Sequence, residues 1–299
     1  MIYTVTLNPS LDYVMHMENL KTLAINKSKK EELYPGGKGI NVSIVLNTLN
    51  TPNKALGFVA GFTGKEIENT LSKLKVAHDF ITLDNGFSRI NVKLKSGGET
   101  DINGSGPQIT PQDLRELFEK LEVLKEGDFL VLAGSIPPSV PDHIYQTIMK
   151  NLSHKKIRVV VDATKDLLLN VLPYKPFLIK PNQEELGELF GVTLKTKEEL
   201  IAYGQKLLEK GAQNVLISRG GEGSLLLTET GEILEGSIPK GTLISTVGAG
   251  DSMVAGFIAG FIKYQAFDRA LQLGAAAGSA TAYSPWLAKK HTIDALLTP

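Results

Sequence analysis

Short continuous apolar runs alternate along the chain with stretches whose apolar positions recur every three or four residues. Residues 129–132, 158–161, 177–179 and 214–217 are runs of the first kind, and residues 2–7 read as a strand by their alternating β-branched and aromatic residues. Such runs suit parallel strands buried on both faces. Helical spacing occupies residues 39–49, 111–124, 142–151, 184–190, 197–210, 251–262 and 268–283. Two of these helices carry clear starts: Thr110 precedes Pro111, and Thr196 precedes a Lys-Glu-Glu first turn. A threonine hydroxyl there can accept from first-turn amides. Strand and helix alternate through the C-terminal two thirds, which predicts an α/β fold with a mostly parallel sheet. Residues 11–35 and 88–105 break the rhythm. They read as extended pieces with polar turns and no helix, predicting a small antiparallel β lid; the alternative is two surface excursions. A single domain over residues 1–299, with the lid inserted in it, is expected.

Composition narrows the function classes. The 299 residues carry 32 Lys+Arg against 32 Asp+Glu, so the basic excess of a nucleic-acid binder is missing. There is no cysteine, which excludes disulfides, thiolate nucleophiles and zinc–thiolate sites and fits a reducing cytoplasm. The longest apolar stretch, 253–262, is about half the roughly 20 residues a membrane helix needs. The opening MIYTVTLNPS lacks the basic region of a signal peptide. A cytoplasmic protein with neither nucleic-acid nor membrane partners is expected. Gly64-Lys65 is followed by Glu66, so no P-loop is present, and Gly248-Ala-Gly-Asp-Ser-Met253 lacks the third glycine of a dinucleotide fingerprint. The five histidines, 16, 78, 143, 154 and 291, have no metal-ligand spacing. No Gly-x-Ser-x-Gly elbow exists.

Several strings could carry chemistry. In Thr246-Val-Gly248-Ala249-Gly250-Asp251-Ser, glycines allow close backbone approach and a helix start offers amides to an anion. Asp251 is then a base toward an attacking hydroxyl, or simply a helix cap. Tyr34-Pro-Gly36-Gly37-Lys38-Gly-Ile-Asn41 sets Lys38 and Asn41 three apart on one helix face, fit for an anionic polyhydroxylated ligand or an ordinary turn. Lys180-Pro-Asn182-Gln-Glu-Glu185 follows a strand. Its oxygens suit Mg²⁺, or cap a helix. Ser218-Arg-Gly220-Gly221-Glu-Gly223 hugs a nucleotide or makes a hairpin. Asp12 after the first strand reads sugar hydroxyls or caps a turn.

Together these strings resemble the PfkB carbohydrate kinase family, the ribokinase-like sugar kinases. Gly36–Asn41 looks like its N-terminal signature, residues 246–252 like its C-terminal one, and Asn182-Gln-Glu-Glu185 like its Asn-x-x-Glu motif. The order and spacing match along nearly the whole chain. The resemblance implies a three-layer α/β/α domain with a β lid. The opening Thr4–Tyr13 string, Arg89-Ile-Asn-Val-Lys-Leu and Glu99-Thr-Asp-Ile-Asn-Gly-Ser-Gly-Pro resemble the branch that phosphorylates fructose 1-phosphate to fructose 1,6-bisphosphate, and Ala133-Gly-Ser135-Ile-Pro-Pro resembles the phosphosugar kinases more broadly. Tagatose-6-phosphate kinases share most of that frame, and a non-catalytic sugar-phosphate sensor on the same fold is a third reading. By resemblance Asp251 is the base. Asp12, Gly36, Gly37, Lys38, Asn41, Arg89 and Ser135 would bind the sugar phosphate, with Lys38 and Arg89 clamping its phosphate. Lys180, Asn182, Ser218, Gly220, Gly221, Gly223, Thr246, Gly248, Ala249, Gly250 and Ser279 would bind ATP. Asn182 and Glu185 would hold Mg²⁺ through water, and a monovalent cation is a further expected cofactor. A homodimer paired through the lids is expected.

Overall fold

A computed structural model describes residues 1–297. The chain opens with β1 (Ile2–Thr6), β2 (Ser10–His16) and β3 (Lys30–Gly36), then α1 (Lys38–Thr48), β4 (Asn53–Ala60), α2 (Gly61–Lys73) and β5 (Ile81–Leu83). Next come β6 (Arg89–Lys95), β7 (Glu99–Asn103), α3 (Pro111–Leu121), β8 (Phe129–Ala133), α4 (Ile144–Leu152), β9 (Arg158–Asp162), α5 (Lys165–Leu169), β10 (Leu178–Ile179), α6 (Gln183–Phe190) and α7 (Lys197–Glu209). It closes with β11 (Asn214–Ser218), β12 (Ser224–Thr228), β13 (Ile233–Gly236), α8 (Ala249–Tyr264), α9 (Phe267–Ala282) and α10 (Lys290–Leu297).

Nine strands form one sheet in the order β13-β12-β11-β10-β9-β8-β1-β4-β5. Pairings from β5 to β11 are parallel, and only the β11–β12 and β12–β13 pairings are antiparallel. The continuous apolar runs are explained by what covers them. One sheet face packs on a cluster holding Ile40, Leu71, Phe257, Ala276 and Ile293, from α1, α2, α8, α9 and α10. The other packs on Leu117, Ile148, Leu168, Leu186 and Leu207, from α3 to α7. The expected α/β/α layering is therefore present. Both threonine caps form: Thr110 and Thr196 each accept from the amide three residues on, in reciprocal capping boxes with Asp113 and Glu199.

A second, four-stranded sheet runs β3-β2-β6-β7. It is built from the two segments that break the helix–strand rhythm. Two of its pairings are antiparallel, as expected, while the central β2–β6 pairing is parallel. Parallel pairing demands a long crossover, and the chain from β3 through α1, β4, α2 and β5 supplies it. The sheet's apolar side chains are partly bare: Leu33 and Ile102 are exposed, as are Leu23 and Ile25 in the β2–β3 loop. Among the described residues no helix is long and apolar enough to cross a membrane.

The element boundaries shift at one informative place. The helix expected from residue 251 begins at Ala249, with Gly248 at its cap, so Asp251 is its third residue rather than its first. The β4–α2–β5 unit carries no earlier expectation. Gly57 explains part of its obscurity. It pairs with Thr6 across β1–β4 at φ 145, and a Cβ there would stand 2.0 Å from the Thr6 carbonyl oxygen. The glycine interrupts the apolar run of residues 55–60 because no side chain fits.

Candidate active site

The C-terminal ends of β1, β8, β9, β10 and β11 open on one cleft, where ligands of open α/β sheets bind. Its volume is about 1200 Å³. The lid strands close one side with Asp12, Arg89 and Asn91, and the α8 N-terminus closes another. Almost every residue singled out in the sequence lines this cleft: Asp12, Gly37, Lys38, Asn41, Arg89, Ser135, Lys180, Asn182, Glu185, Ser218, Gly220, Gly221, Gly223, Thr246, Gly248, Ala249, Gly250, Asp251 and Ser279.

Gly36 is the exception. It ends β3 behind the lining, and a Cβ there would lie 2.5 Å from Ser10 Oγ and 2.6 Å from Asp12 Oδ1. Its contribution is the absence of a side chain, which lets Asp12 reach its place. Asp12 Oδ1 accepts from Ser10 Oγ at 2.6 Å and from Asn91 Nδ2 at 3.1 Å.

Asp251 sits on the first turn of α8 behind Gly248, whose φ is 77. It is 6% exposed, and Asn41 Nδ2 donates to its Oδ2 at 2.8 Å. Burial pushes the Asp251 carboxyl up to about 6, and the Asp162 carboxylate adds to the rise; Lys38, Asn41 and Lys180 oppose it. The glycines matter here for close approach. A Cβ on Gly250 would stand 3.3 Å from Lys180 Nζ, and one on Gly248 would stand 2.7 Å from Leu287 Cδ2.

Beneath Asp251 lies a charge cluster that the sequence reading missed. Asp162, fully buried at the end of β9, receives Lys38 Nζ at 2.9 Å on one oxygen and has Lys180 Nζ at 3.5 Å from the other. Burial alone would raise the Asp162 carboxyl, yet the two ammonium groups hold it below its ordinary range. Burial likewise works against the Lys38 ammonium, and Asp162 and Asp251 outweigh it, so that its pKa rises. The two cations expected to clamp one phosphate thus have different surroundings. Lys38 belongs to the Asp162–Asp251 centre. Arg89 belongs to the lid: its Nε donates to the Asn8 carbonyl at 3.0 Å, with Asp12 as its charged neighbour. Burial lowers the Arg89 pKa from its usual value, and a guanidinium remains charged throughout the working range.

Asn182 and Glu185 form a reciprocal capping box on α6. The Asn182 side chain accepts from the Glu185 amide, and Glu185 Oε2 accepts from the Asn182 amide, each at 2.8 Å. The capping alternative therefore holds, and both side chains also face the cleft. Ser218–Gly223 is similarly both things at once: a tight turn between antiparallel β11 and β12, and cleft wall. Asn8, Asn91, Asp162 and Thr164 also line the cleft without having been singled out. Asp162 was legible in principle, being the polar residue that ends a buried parallel strand.

Known proteins show the same frame. The chain is 46% identical to the 1-phosphofructokinase of Bacillus subtilis over 297 residues, covering 99% of this chain and 97% of that one. It is 38% identical to the D-tagatose-1-phosphate kinase of Bacillus licheniformis, covering 98% and 96%. Among solved structures it superimposes on Escherichia coli phosphofructokinase-2 in complex with substrates and products with a TM-score of 0.94, at 26% identity, covering 99% and 98%. The pfkB family carbohydrate kinase profile matches residues 5–287. This chain is a member of the pfkB family of carbohydrate kinases, and with it a phosphotransferase.

Proposed function

We propose that the protein uses ATP to phosphorylate fructose 1-phosphate at its C6 hydroxyl, giving fructose 1,6-bisphosphate. One observation carries the reading. A single cleft joins a lid guanidinium, Arg89, and a sugar-reading carboxylate, Asp12, to a glycine-flanked helix start bearing the buried Asp251. Arg89 would hold the phosphate already on the sugar, its fork matching phosphate geometry. Asp12, with Asn91 beside it, would accept from sugar hydroxyls. Such a fixed pose leaves the far hydroxyl to reach Asp251. A carboxyl near 6 suits a general base at neutral pH. Asn41 fixes which Asp251 oxygen stays free, because it occupies Oδ2. Amides of the 248–250 turn and the Lys38 and Lys180 ammonium groups would meet the charge on the transferring phosphoryl group. Ser218–Gly223 and Thr246 would line the phosphates of ATP, and Ser279 the base end. Closure of the lid would exclude water from the transfer.

Mg²⁺ fits the oxygen donors of this wall. No group of three or more His, Asp or Glu among the described residues could hold a metal alone, so the ion would be shared with the phosphates of ATP. Asn182 and Glu185 are the residues to hold it, through water. Its chemistry would be to neutralise phosphate charge. The whole chain would act as one domain, paired with a second copy through the apolar residues of the lid.

The second reading comes from the 38% identical relative. Its name shifts the tagatose alternative from the 6-phosphate to the 1-phosphate. Tagatose 1-phosphate differs from fructose 1-phosphate only in configuration at C4, so the same anchor and the same reacting hydroxyl serve both. Coupled ADP-release kinetics on the two 1-phosphates, tagatose 6-phosphate, fructose 6-phosphate and free fructose decide. A kcat/KM at least tenfold higher for fructose 1-phosphate is expected, which is about 1.4 kcal/mol of discrimination. Tagatose 1-phosphate ahead by that factor would overturn the substrate while keeping the reaction.

A further inference from the structure

The chain has one tryptophan. Trp286 lies in the loop between α9 and α10, half-buried against the core. Its ring stacks on Tyr34 with centroids 4.8 Å apart and planes inclined by 18°, within the range of favourable offset stacking. Tyr34 belongs to lid strand β3 and Trp286 to the main body, so this contact joins the two. Neither residue lines the cleft.

Both partners are fixed on their far sides. Tyr34 stands directly opposite Asp12 in the β2–β3 register, so the two side chains leave the same face of the lid. Its hydroxyl donates to Glu32 Oε1 at 2.7 Å, and Glu32 is held in turn by His16 Nε2 at 2.7 Å and Lys30 Nζ at 2.9 Å. Burial, and then Glu32, push the phenol up to about 12, so it remains a donor throughout the working range. Two glycines follow Tyr34 after one proline, and Gly37 takes φ 117. Tyr34 is thus the last aromatic ring before the chain turns from the lid into α1.

On the main body, three consecutive residues reach three parts of the site. Trp286 meets the lid. Leu287 packs under Gly248, where a Cβ would come within 2.7 Å of its Cδ2. The Ala288 amide donates at 3.1 Å to Thr281 Oγ1, which lies 2.7 Å from Ser252 Oγ, next to Asp251.

We propose that the Tyr34–Trp286 stack is a positioning contact that holds the sugar-reading face of the lid, with Asp12, at a fixed height over the Gly248–Asp251 turn. The inference rests on the sugar-phosphate kinase reading. Phosphoryl transfer depends mostly on alignment, and a shift of about 1 Å in a reacting group costs roughly 10² in rate. Without the stack, the lid keeps its contacts with α1 and α2 and its covalent turns, but loses the ring that ties Asp12 to the Gly248–Asp251 turn.

The test is steady-state kinetics on Trp286→Ala, Trp286→Phe, Tyr34→Leu and the Tyr34→Leu/Trp286→Ala double variant, varying fructose 1-phosphate and MgATP separately. Thermal unfolding is followed alongside. Trp286→Ala and Tyr34→Leu should each lower kcat/KM for fructose 1-phosphate by on the order of 10², with KM for MgATP within about threefold. The double variant should lose no more than the worse single one, because both remove the same contact. Trp286→Phe, which keeps a ring to stack, should recover roughly tenfold of the loss. If Trp286→Ala does not fold, Tyr34→Leu and Trp286→Phe make the same comparison. Phosphosugar kinetics within about twofold of wild type in Trp286→Ala and Tyr34→Leu would overturn the inference. So would equal losses for both substrates with a lowered Tm, since that marks a merely structural stack. A wild type active on no sugar phosphate overturns the kinase reading as well; an active wild type with insensitive variants overturns this inference alone.

Discussion

Asp251→Asn should make the protein more stable and far less active, and the gain should depend on pH in a defined direction. The substitution keeps the side-chain shape and leaves an oxygen for Asn41 Nδ2. It removes a buried charge that the fold disfavours: the Asp251 carboxyl rises from 3.8 to about 6, chiefly through burial. Its raised value means that the folded state binds this proton more tightly than the unfolded chain. Ionised Asp251 therefore costs stability, in full above about pH 6, in part between roughly 4 and 6, and not at all below about 4. Two pH units at about 1.36 kcal/mol each bound the effect, so the gain for Asp251→Asn at pH 8 is on the order of 1–3 kcal/mol. Urea unfolding of both proteins at pH 8 and pH 4 measures it, as a midpoint shift at constant m. Turnover, by contrast, should fall by a factor on the order of 10²–10⁴ with both substrates still bound. In the wild type, activity should drop as pH falls through about 6, when the base takes up its proton. A variant no more stable than wild type at pH 8, or equally favoured at both pH values, would refute the buried-charge reasoning.

Three further outcomes follow from the same contacts. Arg89→Ala should raise KM for the sugar phosphate by roughly 10² and leave KM for MgATP nearly unchanged, since losing a phosphate-bound guanidinium costs about 2–3 kcal/mol; separate substrate titrations check it. Asp162→Ala should destabilise the fold by about 3–5 kcal/mol, because it leaves the Lys38 and Lys180 ammonium groups without their shared carboxylate; urea midpoints check it. The protein should run as a homodimer in light scattering at micromolar concentration, and charged residues in place of the exposed Leu33 and Ile102 should shift it toward monomer.

Much of this site was legible because its pieces are local. Gly36–Asn41, Asn182–Glu185 and Thr246–Asp251 each place their side chains within one turn and one helix start, and local spacing predicts that. Residues whose meaning is long-range were hidden. Asp162 ends an apolar strand like an ordinary cap, and only the arrival of Lys38 from 124 residues away gives it a role. Asn91 and Asn8 are plain polar residues until the lid folds over and each meets Asp12 or Arg89. The parallel β2–β6 pairing was hidden for the same reason. Its partners are 79 residues apart at Asp12 and Asn91, and nothing in either string fixes direction. Lys38 shows the limit of motif reasoning. The string leads to its place on the cleft wall, but its charged neighbours, Asp162 and Asp251, depend on where β9 ends.

The central claim is a phosphosugar kinase whose lid guanidinium anchors the existing phosphate while Asp251 activates the far hydroxyl. The most direct measurement is kcat/KM for fructose 1-phosphate against free fructose under identical MgATP, in the wild type and in Arg89→Ala. The account predicts that wild type prefers the phosphosugar by roughly 10² or more and that Arg89→Ala erases most of that preference by weakening the phosphosugar alone. Equal use of free fructose by the wild type, or a preference untouched by Arg89→Ala, would contradict it.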